Sequence, residues 1–295
     1  MNSLIAGKPV GPVSLGCATF GREIDEAASR ELMDYALGRG VTLFDTAAAY
    51  SAGGSERIVG RWLADRRPER LVVATKLLPP YDPTKLAAQL ADSLQRLGRE
   101  SVDLLYLHHW HATVELPETL QVLDQLVRTG RVGALGASNF TAAQLEAALA
   151  RQQSMGLARF TVLQNNHNFA VSDLTPEFLA LCAVHRITVV TYSPLGAGFL
   201  TGKHRDGVAA GSRFAIVPGH QDIYFKEAPR RRLAELEAIA ARHGRGLAEL
   251  ALAWVMRTPG VDTVLVGGRG RGHLDQALAA QDLCDPRVLA DLGRT

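Results

Sequence analysis

Short apolar runs rich in β-branched residues recur along the chain, separated by longer stretches whose apolar residues fall three and four apart. The first kind of pattern fits strands buried on both faces, the second helices with one buried stripe. The runs are "VSLGCATF", "VTLFDT", "LVVATK", "VDLLYLH", "VGALGAS", "FTVLQN", "ITVVTYS" and "DTVLVG", eight in all. Stretches such as "EAASRELMDYALGRG", "SERIVGRWLADRR" and "LPETLQVLDQLVRTG" lie between them and often end in glycine, as helices do. Eight strands alternating with helices over 295 residues predict one α/β domain, a (β/α)8 TIM barrel spanning residues 1–295, rather than a doubly wound open sheet. Two stretches interrupt the alternation. The polar, glycine-rich connection at residues 196–228 is too long for an idle loop and reads as a lid or pocket wall, and "GLAELALAWVMRT" predicts an extra helix at about 246–257.

In such a barrel the reacting groups stand where strands end, at the C-terminal rim. The second strand ends in Asp45, with Tyr50 close behind; the third ends in Lys76 and the fourth in His108. The fifth runs into Ser138 and Asn139, the sixth into Gln164 and the seventh into Tyr192. Singly, each has a plain structural explanation as a cap, a turn residue or a solvated side chain. Together, a buried Asp, Lys and Tyr form a coherent set. The lysine lowers the phenol's pKa, the aspartate keeps the lysine charged, and the tyrosine is then a general acid for a carbonyl oxygen. "DLLYLHHWHA" adds His109 and His111, for which a two-histidine chelate, a functional His108 or a solvated trio are the readings. Strand parity sets His108 and His109 on opposite faces, and no second ligand cluster of metal spacing accompanies them, so no metal is expected.

Composition narrows the function classes. Lys and Arg number 32 against 30 Asp and Glu, a formal net charge of +2, which gives no general attraction to nucleic acid or to an anionic membrane. The basic "RRR" at Arg230–Arg232 opens a helical pattern and reads as a solvated face. Cys17, Cys182 and Cys284 are odd in number and far apart, so neither a disulfide framework nor a CxxC motif is available. With no signal-peptide pattern at the start and no apolar run of membrane-spanning length, a soluble cytoplasmic protein is expected. A serine hydrolase lacks its GxSxG elbow. Oligomeric state leaves no signature in the pattern.

"GVTLFDTAAAYSAGGSERIVGRWL", "VVATK", "DLLYLH", "GALGASNF", "LQNNHN" and "TYSPLGAGFLTGK", taken in order, resemble the aldo-keto reductases over nearly the whole chain. The resemblance implies a catalytic tetrad of Asp45, Tyr50, Lys76 and His108, with Tyr50 as general acid in the NADPH-dependent reduction of an aldehyde, ketone or sugar carbonyl. It also implies NADP(H) bound over the rim without a Rossmann fold. Ser138, Asn139 and Gln164 would hold the nicotinamide carboxamide and Tyr192 would stack on the ring, beside Ser193 and Leu195 of the same segment. Arg269 would meet the 2'-phosphate. "VGGRGRGH" fails the GxGxxG spacing, its third position falling on His273, but its place after the eighth strand suits a barrel phosphate site, with Arg271 as a further basic group. Phe20, Trp110 and Phe199, with Tyr224, are candidates for an apolar substrate wall. The alternative is an NADP(H)-binding sensor or channel-associated subunit, since potassium-channel β subunits resemble the same family.

Overall fold

The computed structural model of the chain describes residues 3–293. All eight predicted runs are strands of one closed parallel barrel: β3 (Val13–Gly16), β4 (Leu43–Asp45), β5 (Val72–Leu77), β6 (Val102–Leu107), β7 (Val132–Ser138), β8 (Phe160–Asn166), β9 (Thr188–Tyr192) and β10 (Thr263–Val266), with β10 closing between β9 and β3. The first run stops at Gly16 rather than Phe20, because the Cys17 amide bonds to the Asp45 carbonyl (2.9 Å) and Phe20 N then turns back to Cys17 O. Each strand is buried on both sides. Leu43, Val72, Ala74, Leu104, Tyr106, Val162, Val190 and Leu265 fill the lumen. Their alternates Phe44, Val73, Leu105, Leu135, Leu163 and Val189 face the outer helices. This double burial is why the strands read as continuous apolar runs rather than as alternating ones.

The helices follow the strands: α1 (Glu26–Gly38), α2 (Gly54–Arg66), α3 (Leu86–Leu97), α4 (Pro117–Arg128), α5 (Ala142–Ser154) and α6 (Pro176–Val184). The stretch after β9 carries α7 (Arg213–Ile216), α8 (Gln221–Tyr224), α9 (Glu227–His243) and α10 (Leu247–Met256), the last being the expected extra helix. After β10 come α11 (Arg271–Gln281) and α12 (Pro286–Gly293).

Two features were not legible in the pattern. Ahead of the barrel, β1 (Ser3–Ile5) and β2 (Lys8–Val10) form an antiparallel hairpin around Ala6 and Gly7, both at positive φ (49° and 76°) as a tight hairpin turn requires. Ile5 and Val10, each 1% exposed, join the lumen cluster, a burial worth roughly 3–6 kcal/mol for the pair. Lys8 pins the hairpin by donating to Asp103 and to the Leu71 carbonyl, both at 2.8 Å.

The second is the connection at residues 196–228. It is a strap of short helical turns, not an open loop, packed on Phe199, His204, Phe214, Tyr224 and Phe225. Its aromatic spacing is irregular and its helices last about one turn, so no period betrays them. Arg213 pairs with Glu23 after β3, and the Gly211 carbonyl accepts from Arg269 after β10. The strap therefore covers the sector of the barrel mouth above the adjacent strands β9, β10 and β3.

Candidate active site

Strand parity sends one set of side chains to the lumen at its C-terminal end. Asp45 lies two residues after Leu43, Lys76 two after Ala74, Gln164 two after Val162 and Tyr192 two after Val190. His108 follows Leu104 and Tyr106 in the same sense, one residue past the end of β6. Tyr50 arrives from a turn between β4 and α2 in which Ser51, Ala52 and Gly53 all have positive φ (50°, 49° and 81°). Two non-glycine residues held left-handed cost roughly 1–2 kcal/mol each, local strain of the kind found where a loop must aim one side chain. Arg96 packs against Gly53, where a Cβ would lie 2.6 Å from its Cδ, and Arg96 is itself fixed to the buried Glu56 (2.5 Å). Glu56 also accepts from Thr75 beside Lys76 (2.5 Å), so the turn and β5 share one brace.

Five of the expected side chains meet here. Lys76, wholly buried, forms an ion pair with Asp45, donates to the Thr46 carbonyl (3.0 Å) and lies 3.4 Å from the Tyr50 hydroxyl. The other Asp45 oxygen accepts from the Gln164 amide at 2.8 Å. Gln164, expected to face a carboxamide, thus also steadies the carboxylate. The His108 ring meets the Tyr50 ring edge-on at 5.9 Å.

The electrostatics follow from burial and these contacts. Burial disfavours charge on Lys76, but Asp45 and Tyr50 outweigh it, and the net shift of the ammonium is upward. Burial pushes the Tyr50 phenol up while Lys76 pulls it down; the net is raised, so Tyr50 rests protonated. Burial, then Lys76 and His109, drive His108 down to about 3, leaving a neutral imidazole whose buried Nδ1 has no partner among the described residues. A neutral imidazole beside a protonated phenol backed by an ammonium can bind and polarise an oxygen without contributing charge of its own.

The rim residues lie around this centre. Asn139, left-handed at φ 58°, donates to the His108 carbonyl (2.8 Å) and to Ser138 Oγ (3.2 Å), and accepts from the Tyr192 hydroxyl (2.6 Å). Ser138 is buried and Tyr192 half-buried. Ser193, at φ 55°, turns the chain so that its carbonyl accepts from Gly196 N and from Asn168, with Leu195 half-buried behind it. Arg269 is exposed next to a cavity of about 400 Å3 lined by Gly270, Gly272, His273 and Gln276, at the start of α11. Arg271 turns away from it, its guanidinium over the Tyr35 ring at 5.3 Å and paired with Glu31.

Two expected pocket-wall residues are placed elsewhere. Phe20 is fully buried and Phe199 is 3% exposed, the latter stacked on Tyr224 at 5.7 Å. Tyr224 is likewise buried and ties the strap to the end of β8 through Asn166 and Asn168. Trp110 alone of the expected trio stays partly exposed. The histidine rings also depart from strand parity. The strand ends at Leu107, so the backbone bends and the His108 and His109 rings stack at 4.7 Å, almost parallel. His111 instead accepts from the Thr113 amide as a local cap. Sequence reasoning missed Gln164's bond to Asp45, the Glu56 brace and Tyr106 in the lumen; only the lumen parity of Tyr106 was readable in advance.

A profile of the Aldo/keto reductase family matches residues 12–285. The chain is 30% identical to a probable voltage-gated potassium channel subunit beta from Arabidopsis thaliana, covering 94% of this chain and 89% of that one. It is 31% identical to norsolorinic acid reductase B from Aspergillus parasiticus (90% and 75%) and 29% identical to the uncharacterized oxidoreductase YrpG from Bacillus subtilis (94% and 89%). The match begins at the first barrel strand and runs past α11, taking in every element that places a side chain at the rim, and the chain therefore belongs to the aldo/keto reductase family, as an oxidoreductase.

Proposed function

We propose that the protein reduces an aldehyde, ketone or sugar carbonyl to the alcohol with NADPH, and that Tyr50 is the general acid. The observation that carries this reading is the Lys76 ammonium, paired with Asp45 and 3.4 Å from the Tyr50 hydroxyl. The resting phenol is protonated, and the ammonium stabilises the phenolate left when its proton goes to the carbonyl oxygen. Asp45, held by Gln164, keeps the ammonium in place. Neutral His108 hydrogen-bonds the same oxygen and orients it towards Tyr50.

The residues fit the dinucleotide. The cavity at the start of α11 offers backbone amides and Arg269 to a phosphate. Ser138, Asn139, Gln164, Tyr192, Ser193 and Leu195 would hold the nicotinamide end, beside Tyr50. When bound, the cofactor supplies the hydride. Trp110 offers an aromatic wall to substrate. A relative named as a reductase supports carbonyl reduction, and three free cysteines suit a reducing cytoplasm.

Tyr50→Phe keeps the ring and removes only the proton. Single-turnover oxidation of bound NADPH by excess carbonyl substrate should slow by about a hundredfold to ten thousandfold, with NADPH affinity unchanged. An unchanged single-turnover rate would remove Tyr50 from the mechanism. Failure of the unaltered protein to reduce any member of a broad carbonyl panel would favour the second reading, an NADP(H)-binding sensor or channel-associated subunit, the latter in keeping with a relative named as a potassium channel subunit beta.

A further inference from the structure

Tyr106 is wholly buried in the barrel lumen, on β6, in register with Lys76 on β5 and with Gly136 on β7. The Gly136 position is open only because it has no side chain: a Cβ there would lie 2.4 Å from Tyr106 Cδ1. The ring that occupies this space faces the Lys76 ammonium. Nζ lies 5.5 Å from the Tyr106 centroid and 5.0 Å from that of Tyr50, so the cation sits between two phenol rings. The Tyr106 hydroxyl is buried near Gln164 and Asp45 without a hydrogen bond of ordinary geometry, and its pKa is pushed well up by burial and then by Asp45. It stays neutral and adds no charge to the site.

We propose that Tyr106 is a positioning residue for the reaction: its ring face seats the Lys76 ammonium in a lumen otherwise hostile to charge, keeping the lysine protonated and directed at Tyr50. The role rests on the reading of Tyr50 as proton donor for its consequence in turnover, but the effect on Lys76 does not. Ring–cation attraction is strongest where water is excluded, and Lys76 has no exposed surface. The other groups bearing on the ammonium are Asp45, which carries the opposing charge, and Tyr50, His108 and Cys17, which are neutral: burial raises the Tyr50 and Cys17 pKa values and lowers that of His108.

The chain has five lysines, so the Lys76 side chain can be followed by NMR in protein labelled at lysine nitrogen, with Lys76→Met assigning the signal. In the unaltered protein and in Tyr106→Phe, which keeps the ring, the signal should remain ammonium-type to the highest pH at which the fold persists. In Tyr106→Leu the ammonium signal should give way at a pH lower by roughly one unit than in Tyr106→Phe. The alkaline limb of the kcat profile should move down with it. A Leu variant whose Lys76 signal matches the unaltered protein would overturn the proposal, as would equal shifts in the Phe and Leu variants, which would assign the effect to the hydroxyl. A purely structural role for Tyr106 lowers the melting temperature and leaves the titration in place. Should the Leu variant not fold, Tyr106→Met fills the space flexibly and is read in the same way. Absence of carbonyl reduction by the unaltered protein would count against the proposed function and leave the lysine titration as the test of the seat.

Discussion

At the scale of single residues, the site depends on side chains whose surroundings change what they can do. Arg269 is the sharpest case. It is exposed, and its guanidinium donates to the Gly211 carbonyl of the strap, a bond to a neutral acceptor that a phosphate would outcompete. Arg271, the other basic group of the segment, is committed to Tyr35 and Glu31. Preference for NADPH over NADH should therefore rest on Arg269. A lost charge-assisted contact is worth roughly 1.5–3 kcal/mol, so Arg269→Ala should weaken NADPH binding by about tenfold to a hundredfold and leave NADH almost untouched. Fluorescence titration of both dinucleotides reads this directly, and equal losses for the two would remove the phosphate assignment.

At the scale of elements, the strap between β9 and α9 is held differently from the barrel beneath it. Barrel strands are fixed by parallel ladders and two apolar faces, whereas the strap rests on an aromatic cluster and a few polar ties, among them Arg213 to Glu23, Arg269 to Gly211 and Tyr224 to Asn166 and Asn168. Such a segment opens more readily than the barrel unfolds. Arg213→Ala leaves Glu23 with Arg22 as its remaining partner (2.7 Å) and frees the middle of the strap. Limited proteolysis between residues 202 and 226 should accelerate by about tenfold, since one partly buried ion pair is worth on the order of 1 kcal/mol, while the thermal midpoint of the barrel moves little. Uniform destabilisation without preferential cleavage there would show that the strap and barrel open as one unit.

At the scale of the whole molecule, two histidines are buried neutral and couple stability to pH. Burial lowers His167, which lies between Ser172 and Thr258 and stacks on Trp254, to about 4, and burial with Lys76 and His109 lowers His108 to about 3. Both folded values lie below the unfolded value near 6.5, so the unfolded chain takes up protons first as the pH falls. The stability they preserve is complete above about pH 6.5 and is lost progressively below it, as the pH falls towards the folded values. Between pH 8 and pH 5 the pair should cost about 2–4 kcal/mol, before most carboxylates titrate. Urea unfolding at pH 8, 6.5 and 5 measures the slope, and His167→Asn should make it shallower. A stability flat across that range would mean that these imidazoles are not held neutral.

The barrel and the rim positions were readable in the sequence because both follow from local periodicity. A strand buried on two faces must be an apolar run, a helix lying on it must carry one apolar stripe, and a polar residue closing such a run must stand at the strand's end. Asp45, Lys76, His108 and Gln164 were found in this way. The tertiary structure alone decided which of them touch. Gln164 bonds Asp45 across 119 residues of chain, a contact set by register around a closed barrel and by nothing near either residue. Closure likewise puts Tyr106 opposite Gly136 and against Lys76, turns Phe20 and Phe199 inwards, and gives the hairpin a lumen to plug. Helices of about one turn in the strap leave no period to detect, because aromatic packing between distant positions, and not the 3.6-residue repeat, holds them in place.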